Sequence, residues 1–377
     1  MPDPDPSPLP SPPPPSRRQS AAIGIARIVC ILGIVYVHAW TGMGGDRLRE
    51  MGRTWQGELR WAVSALFGLS AVPLLSIISG WLVAPSLARR PLAAFYRGKA
   101  RTILLPMLIW NALALAIVSG AAWLGWLYAP QPVGWGWAAN ELTALARPND
   151  INVQMPFLRD LFVCMLLSPL LARAPGRLLA LVIALALAWS IAGTALYVLL
   201  RPAILLFFCI GILARRHDWA RRVASRPLWL TGAGYALLAA LEMALQVGDA
   251  AIDRPHLLAA IDLTMRLATA AFAWSLAWRL AATRAGKALL RLEPYAFLLF
   301  CDQLILIWIG GPAIGALTGP LGAPLYPLYL MLQPVLVLGG TLVVGRLLTA
   351  LSPDLAALLS GGRLSASRLA ADSARVR

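Results

Sequence analysis

Long apolar runs divided by short basic loops constrain this chain more than any other feature. Ten such runs cover roughly 20–40, 61–85, 102–127, 156–172, 178–192, 195–214, 228–247, 257–278, 295–317 and 325–350. Each is long enough, or nearly so, to cross about 30 Å of hydrocarbon as a helix rising about 1.5 Å per residue. The fifth and sixth are nearly continuous, and a turn around Gly193 and Thr194 must separate them. In lipid, backbone polar groups have no water to bond, so the expected fold is an all-α integral membrane protein of about ten transmembrane helices.

Composition and charge support this reading. Charged residues make up only 13% of the 377 residues, against 59% hydrophobic, where soluble domains carry about 25% charged. So few charges cannot cover a water-facing surface. A soluble enzyme, a disordered protein and a secreted disulfide scaffold are thereby excluded. The net charge of +16 suggests nucleic acid in a soluble chain. Here the cations sit between apolar runs, so they report topology, and no nucleic-acid partner is expected. Alternate loops, with the N-terminal arm and the tail, carry 22 Lys and Arg, whereas the opposite loops carry 6. The positive-inside rule then puts both termini in the cytoplasm, which requires an even number of spans.

The runs divide the chain into a Pro-rich arm over 1–18, a membrane domain over 19–352 and a basic cytoplasmic tail over 353–377. The arm is too polar to fold alone and lacks the pattern of a signal peptide. The tail is read as a basic helix on the membrane surface. Cys30, Cys164, Cys209 and Cys301 each fall inside an apolar run with no CxxC pair, so packing is expected rather than a disulfide or a metal site. Gly311, Gly315 and Gly319 form a small-residue row that predicts close helix packing.

Ionisable groups inside a bilayer are costly, so each is a functional candidate. Those singled out are Arg27, His38, Arg159, Asp160, Arg201, Glu242, Asp262, Arg266 and Asp302. Arg27 and His38 stand eleven residues apart, three helical turns and about 16 Å. They therefore share one face of the first span, near opposite ends. An imidazole there can accept a proton near neutral pH. Asp262 and Arg266, four apart on one helix, are expected to neutralise each other. Intramembrane Arg and Asp could equally line the path of a transporter or flippase for a glycan or lipid-linked sugar. A noncatalytic membrane subunit of an export complex is a further alternative.

Five motifs in order resemble acyltransferase family 3, the polytopic bacterial membrane O-acyltransferases of glycans. They are Arg27-x10-His38; Ser79-Gly80-Trp81; Phe95-Tyr96-Arg97-x3-Arg101 with Pro106 and Trp110; Pro156-Phe157-Leu158-Arg159-Asp160-Leu161; and Phe300-Cys301-Asp302-Gln303. Gln303 stands where many relatives carry histidine, and Trp81 where Phe or Tyr is commoner. The resemblance implies an enzyme of the bacterial cytoplasmic membrane. It would move an acyl group, acetyl first and succinyl second, from cytoplasmic acyl-CoA to a hydroxyl of an extracytoplasmic carbohydrate or glycoconjugate, without a metal. His38 would be the general base or carry the acyl group. Arg159 or Arg201 would stabilise the oxyanion, and Asp160 ranks first to orient the imidazole. Arg97, Lys99 and Arg101, with Arg27, Ser79 and Gly80, would hold acyl-CoA.

Overall fold

The structure, a computed structural model, describes residues 15–194, 197–246 and 255–365, with only the backbone course of 242–246. Most of the Pro-rich arm, the end of the tail and the Glu242 side chain lie outside the described residues. The fourteen helical segments, in chain order, are α1 Arg17–Val37, α2 Gly45–Met51, α3 Trp55–Ala88, α4 Leu92–Trp123, α5 Trp135–Thr143, α6 Pro156–Arg173 and α7 Gly176–Ala192. Then come α8 Ala203–Arg216, α9 Trp219–Ala224, α10 Leu228–Gln246, α11 Pro255–Leu280, α12 Arg284–Thr318, α13 Tyr326–Leu351 and α14 Pro353–Leu359. No strand element occurs among the described residues.

Every apolar run thus becomes a helix. Among the described residues six of them, α1, α3, α4, α11, α12 and α13, are long and apolar enough to cross a membrane. Helices α7 and α8 fall short by length, and α6 carries Arg159, Asp160 and Arg173 within 18 residues; α10 is described with side chains only as far as Leu241. The sixth run departs from expectation. Its helix begins only at Ala203, and 197–202 is irregular backbone. Large apolar side chains such as Leu170, Leu185, Leu237, Val335 and Leu347 remain exposed, as a lipid-facing surface requires.

Helix α1 is the hub. Ser16 and Gln19 close a reciprocal cap at its start, with Ser16 N–H to Gln19 Oε1 at 2.8 Å, which satisfies two otherwise orphaned donors. Along its length α1 packs on α3, α11, α12 and α13. Helix α3 in turn crosses α8, backbone against backbone: a Cβ at Gly80 would collide with the Phe208 carbonyl, and one at Gly211 with that of Ile77. Helices α6 and α7 flank α8.

The first part of the tail packs on the protein: Ala356, Leu359, Ser360 and Leu364 are buried, and α14 contacts α4 and α13.

Gly80→Val is expected to destabilise the fold by about 1–3 kcal/mol, because the added side chain forces two packed backbones apart. A melting curve in detergent should show a lowered Tm. An unchanged Tm would mean that the crossing is not tight.

Candidate active site

His38 stands just past α1, its backbone N–H bonded to Ile34 O at 3.2 Å. The chain after it is fixed by Trp40. A Cβ at Gly311 or Gly315 would strike the Trp40 indole, so these two members of the small-residue row form a socket for this ring, while Gly319 lies against Ala323. Tyr329 meets the indole edge-on at 5.9 Å, and Tyr326 Oη donates to Trp40 O at 3.1 Å. These contacts hold the end of α1, and hence His38, against α12 and α13.

A cavity of about 590 Å³ opens in front of His38, within the range of small-molecule sites. Its polar lining includes His38, Gln154, Arg201, Asp262 and Arg266, set among Phe157, Phe207 and Phe300. The half-buried imidazole has no hydrogen-bonding partner for its ring among the described residues, and Arg201 acts on it electrostatically. Arg201 donates to Val153 O at 3.3 Å. Asp262 and Arg266 pair at 2.6 Å, as their spacing predicts. Gln154 donates to Phe300 O at 3.3 Å, while its buried Oε1 has no partner among the described residues.

Arg159 and Asp160 are not among the residues lining this cavity. They hold its wall. Asp160 is fully buried; it accepts from Arg159 at 2.7 Å, from Arg201 N–H at 2.7 Å and from Leu200 N–H at 3.2 Å. Arg159 donates to the carbonyls of Val198, at 2.9 Å, and Tyr197. Non-helical backbone survives at membrane depth only where its polar groups are satisfied, and this pair bonds four of those in 197–201, Tyr197 O, Val198 O, Leu200 N–H and Arg201 N–H. The sequence assigned Asp160 to the imidazole; the structure instead occupies its oxygens with the Arg201 loop.

Half-way along α1, Arg27 pairs with Glu293 at 3.2 Å. Lys99 lies within electrostatic reach of Arg27, Arg90 and Arg363. Arg97 and Arg101 are exposed. One helical turn apart, they share a face that positions two residues from Lys99 cannot share. The expected trio is therefore split, and Lys99 alone joins Arg27. Ser79 bonds within its own helix, to Leu75 O at 2.7 Å, and Gly80 serves the α3–α8 crossing; neither lines the cavity. Asp302 is buried between α12 and α13, accepting from Thr341 at 2.8 Å.

Sequence reasoning passed over Gln154, Glu293 and Arg363. Glu293 was visible as a lone carboxylate bordering a basic loop. Nothing in the local pattern marked Gln154.

With the geometry in hand, the comparison with known proteins decides the class. The family described as an acyltransferase domain, acyltransferase 3, matches residues 20–349. The chain belongs to the acyltransferase 3 family. It is therefore a multi-pass membrane enzyme that transfers acyl groups other than aminoacyl groups, and the transporter alternative falls. The chain is also similar to the succinoglycan biosynthesis protein ExoH of Rhizobium meliloti (strain 1021). The two are 32% identical over 373 residues, covering 93% of this chain and 94% of that one. No solved structure matches it.

Asp160→Ala is expected to unfasten 197–201. Losing one partner of a buried pair typically costs about 3–5 kcal/mol. Hydrogen exchange should show the amides of Leu200 and Arg201 protected in the wild type and fast in the variant. Equal protection in both would remove Asp160 from this role.

Proposed function

We propose that the enzyme moves an acyl group from cytoplasmic acyl-CoA to a hydroxyl of an extracytoplasmic polysaccharide or glycoconjugate, at the cavity in front of His38. The observation that carries this reading is that His38 and Arg201 line one cavity in a membrane acyltransferase. The similarity to a succinoglycan biosynthesis protein supports a polysaccharide acceptor. The loop charges support ten spans with both termini in the cytoplasm, the shorter helices α6, α7, α8 and α10 completing the set. In a bacterial cytoplasmic membrane this orientation places the Arg27 end inside and the His38 end outside.

His38 acts as general base. It takes the proton of the acceptor hydroxyl as that oxygen attacks the thioester carbonyl. Arg201 stabilises the oxyanion that forms there. Collapse of the tetrahedral intermediate breaks the carbon–sulfur bond, and the departing CoA thiolate takes the proton back from the imidazolium. Ester and free CoA result, and no proton or electron is left over. Arg159 and Asp160 contribute as positioning residues, through the loop that carries Arg201. Arg27 and Lys99 attract the donor phosphates at the opposite end.

Acetyl is the acyl group of this reading. Succinyl is the second reading, since the cavity wall carries a second guanidinium, Arg266, beside Arg201 and Arg binds carboxylates.

Purified enzyme is expected to release free CoA from acetyl-CoA or succinyl-CoA when a suitable glycan is added, and the faster donor names the acyl group. His38→Ala should abolish the glycan-stimulated release. Arg201→Gln should lower kcat about 10²- to 10³-fold, the usual effect of removing an oxyanion donor. Equal release by wild type and His38→Ala would remove His38 from the chemistry.

A further inference from the structure

The chain turns back into the protein after α13. Ser352 caps α14, accepting from Leu355 N–H at 3.2 Å. The backbone then reverses through Gly361 and Gly362, with φ of 59° and 83°, a conformation that favours glycine. Three contacts press this strap inward. Trp110 Nε1 donates to Leu359 O at 3.0 Å. Leu364 is buried, and its N–H donates to Ser360 Oγ at 2.9 Å. Gly361 lies so close to the Thr102 carbonyl that a Cβ there would stand 2.5 Å from it.

The strap delivers one cation to a chosen place. The Arg363 guanidinium sits 4.0 Å over the ring of Phe297, one helical turn beyond Glu293, the partner of Arg27. Arg90 lies against Gly98, next to Lys99, its Nη1 3.4 Å from where a Cβ of Gly98 would stand. Arg27 of α1, Arg90 of the turn between α3 and α4, and Arg363 of the strap thus all act on Lys99 of α4. Among the described residues, Glu293 pairs with Arg27. Like charges gathered in this way repel, and a polyanion bound among them relieves that repulsion. Arginine binds phosphate oxygens bidentately.

We propose that the C-terminal strap completes the donor site, with Arg363 binding the phosphates of acyl-CoA opposite Lys99 and Arg27. This rests on the acyl-CoA reading above. Arg363 acts on the nucleotide end of the donor and has no part in the transfer step.

The test uses full-length enzyme in lipid nanodiscs, as wild type, Arg363→Gln and Arg363→Lys. CoA binding is measured calorimetrically. KM and kcat are measured with acetyl-CoA and with acetyl-pantetheine, which lacks the phosphates. For Arg363→Gln, the Kd of CoA and the KM for acetyl-CoA are expected to rise about tenfold, the scale of one lost charge-assisted bond. Its kcat and its KM for acetyl-pantetheine should stay at the wild-type values, and Arg363→Lys should recover most of the affinity. Wild-type affinity in Arg363→Gln overturns the proposal. So does a KM that rises alike for both donors, because the strap would then be structural only. A wild type that binds no CoA would instead sink the donor reading, and the strap proposal with it.

Discussion

A buried ion pair between two adjacent residues, Arg159 and Asp160, underlies the architecture of the cavity. Two charges brought out of water cost several kcal/mol each unless their bonding capacity is filled. Here it is filled by backbone: the amides of Leu200 and Arg201 and the carbonyls of Tyr197 and Val198. The exchange works in both directions. The pair is stabilised by the loop, and the loop, which has no helical bonds of its own, is stabilised by the pair. Through it Arg201 reaches the cavity wall. Removing either charge should therefore disturb catalysis without either residue touching substrate.

Helix α1 ties this cavity to the cations gathered around Arg27. It carries Arg27 at its midpoint and His38 just past its C-terminal end, and it is packed by α3, α11, α12 and α13. Its ends are fastened differently. Ser16 and Gln19 cap the first turn, Glu293 holds Arg27, and the Trp40 socket in α12 fixes the chain beyond His38. Helix α12 supplies both Glu293 and that socket, so the two helices fix the spacing between the polar ends. A donor that must bind at one end and react at the other needs such a fixed spacing.

The helices were legible because apolar runs of membrane length leave the backbone few other choices. All ten runs became helices, and the pairing of Asp262 with Arg266 followed from helical spacing. The limits are equally physical. Apolarity reports burial, not conformation, so the run from 195 concealed the irregular 197–202, where Pro202 was the local sign. The matched segment pointed to Asp160, but a buried carboxylate accepts backbone amides as readily as an imidazole N–H, and only the fold chooses between them. Arg97, Lys99 and Arg101 looked like one cluster in sequence; helical geometry sends the middle one to the opposite side. Partners such as Glu293, 266 residues from Arg27, follow from tertiary packing alone.

The central claim is that the acyl group passes through the protein, from a donor on one face to an acceptor on the other. It is tested most directly in sealed proteoliposomes with glycan trapped inside and acyl-labelled CoA outside, after the protein molecules facing each way have been counted. The account predicts labelled ester on the trapped glycan in proportion to those molecules whose Arg27 end faces outward. The lumen should hold no CoA, and His38→Ala should transfer no label. Ester formed only when donor and acceptor share a compartment would contradict it.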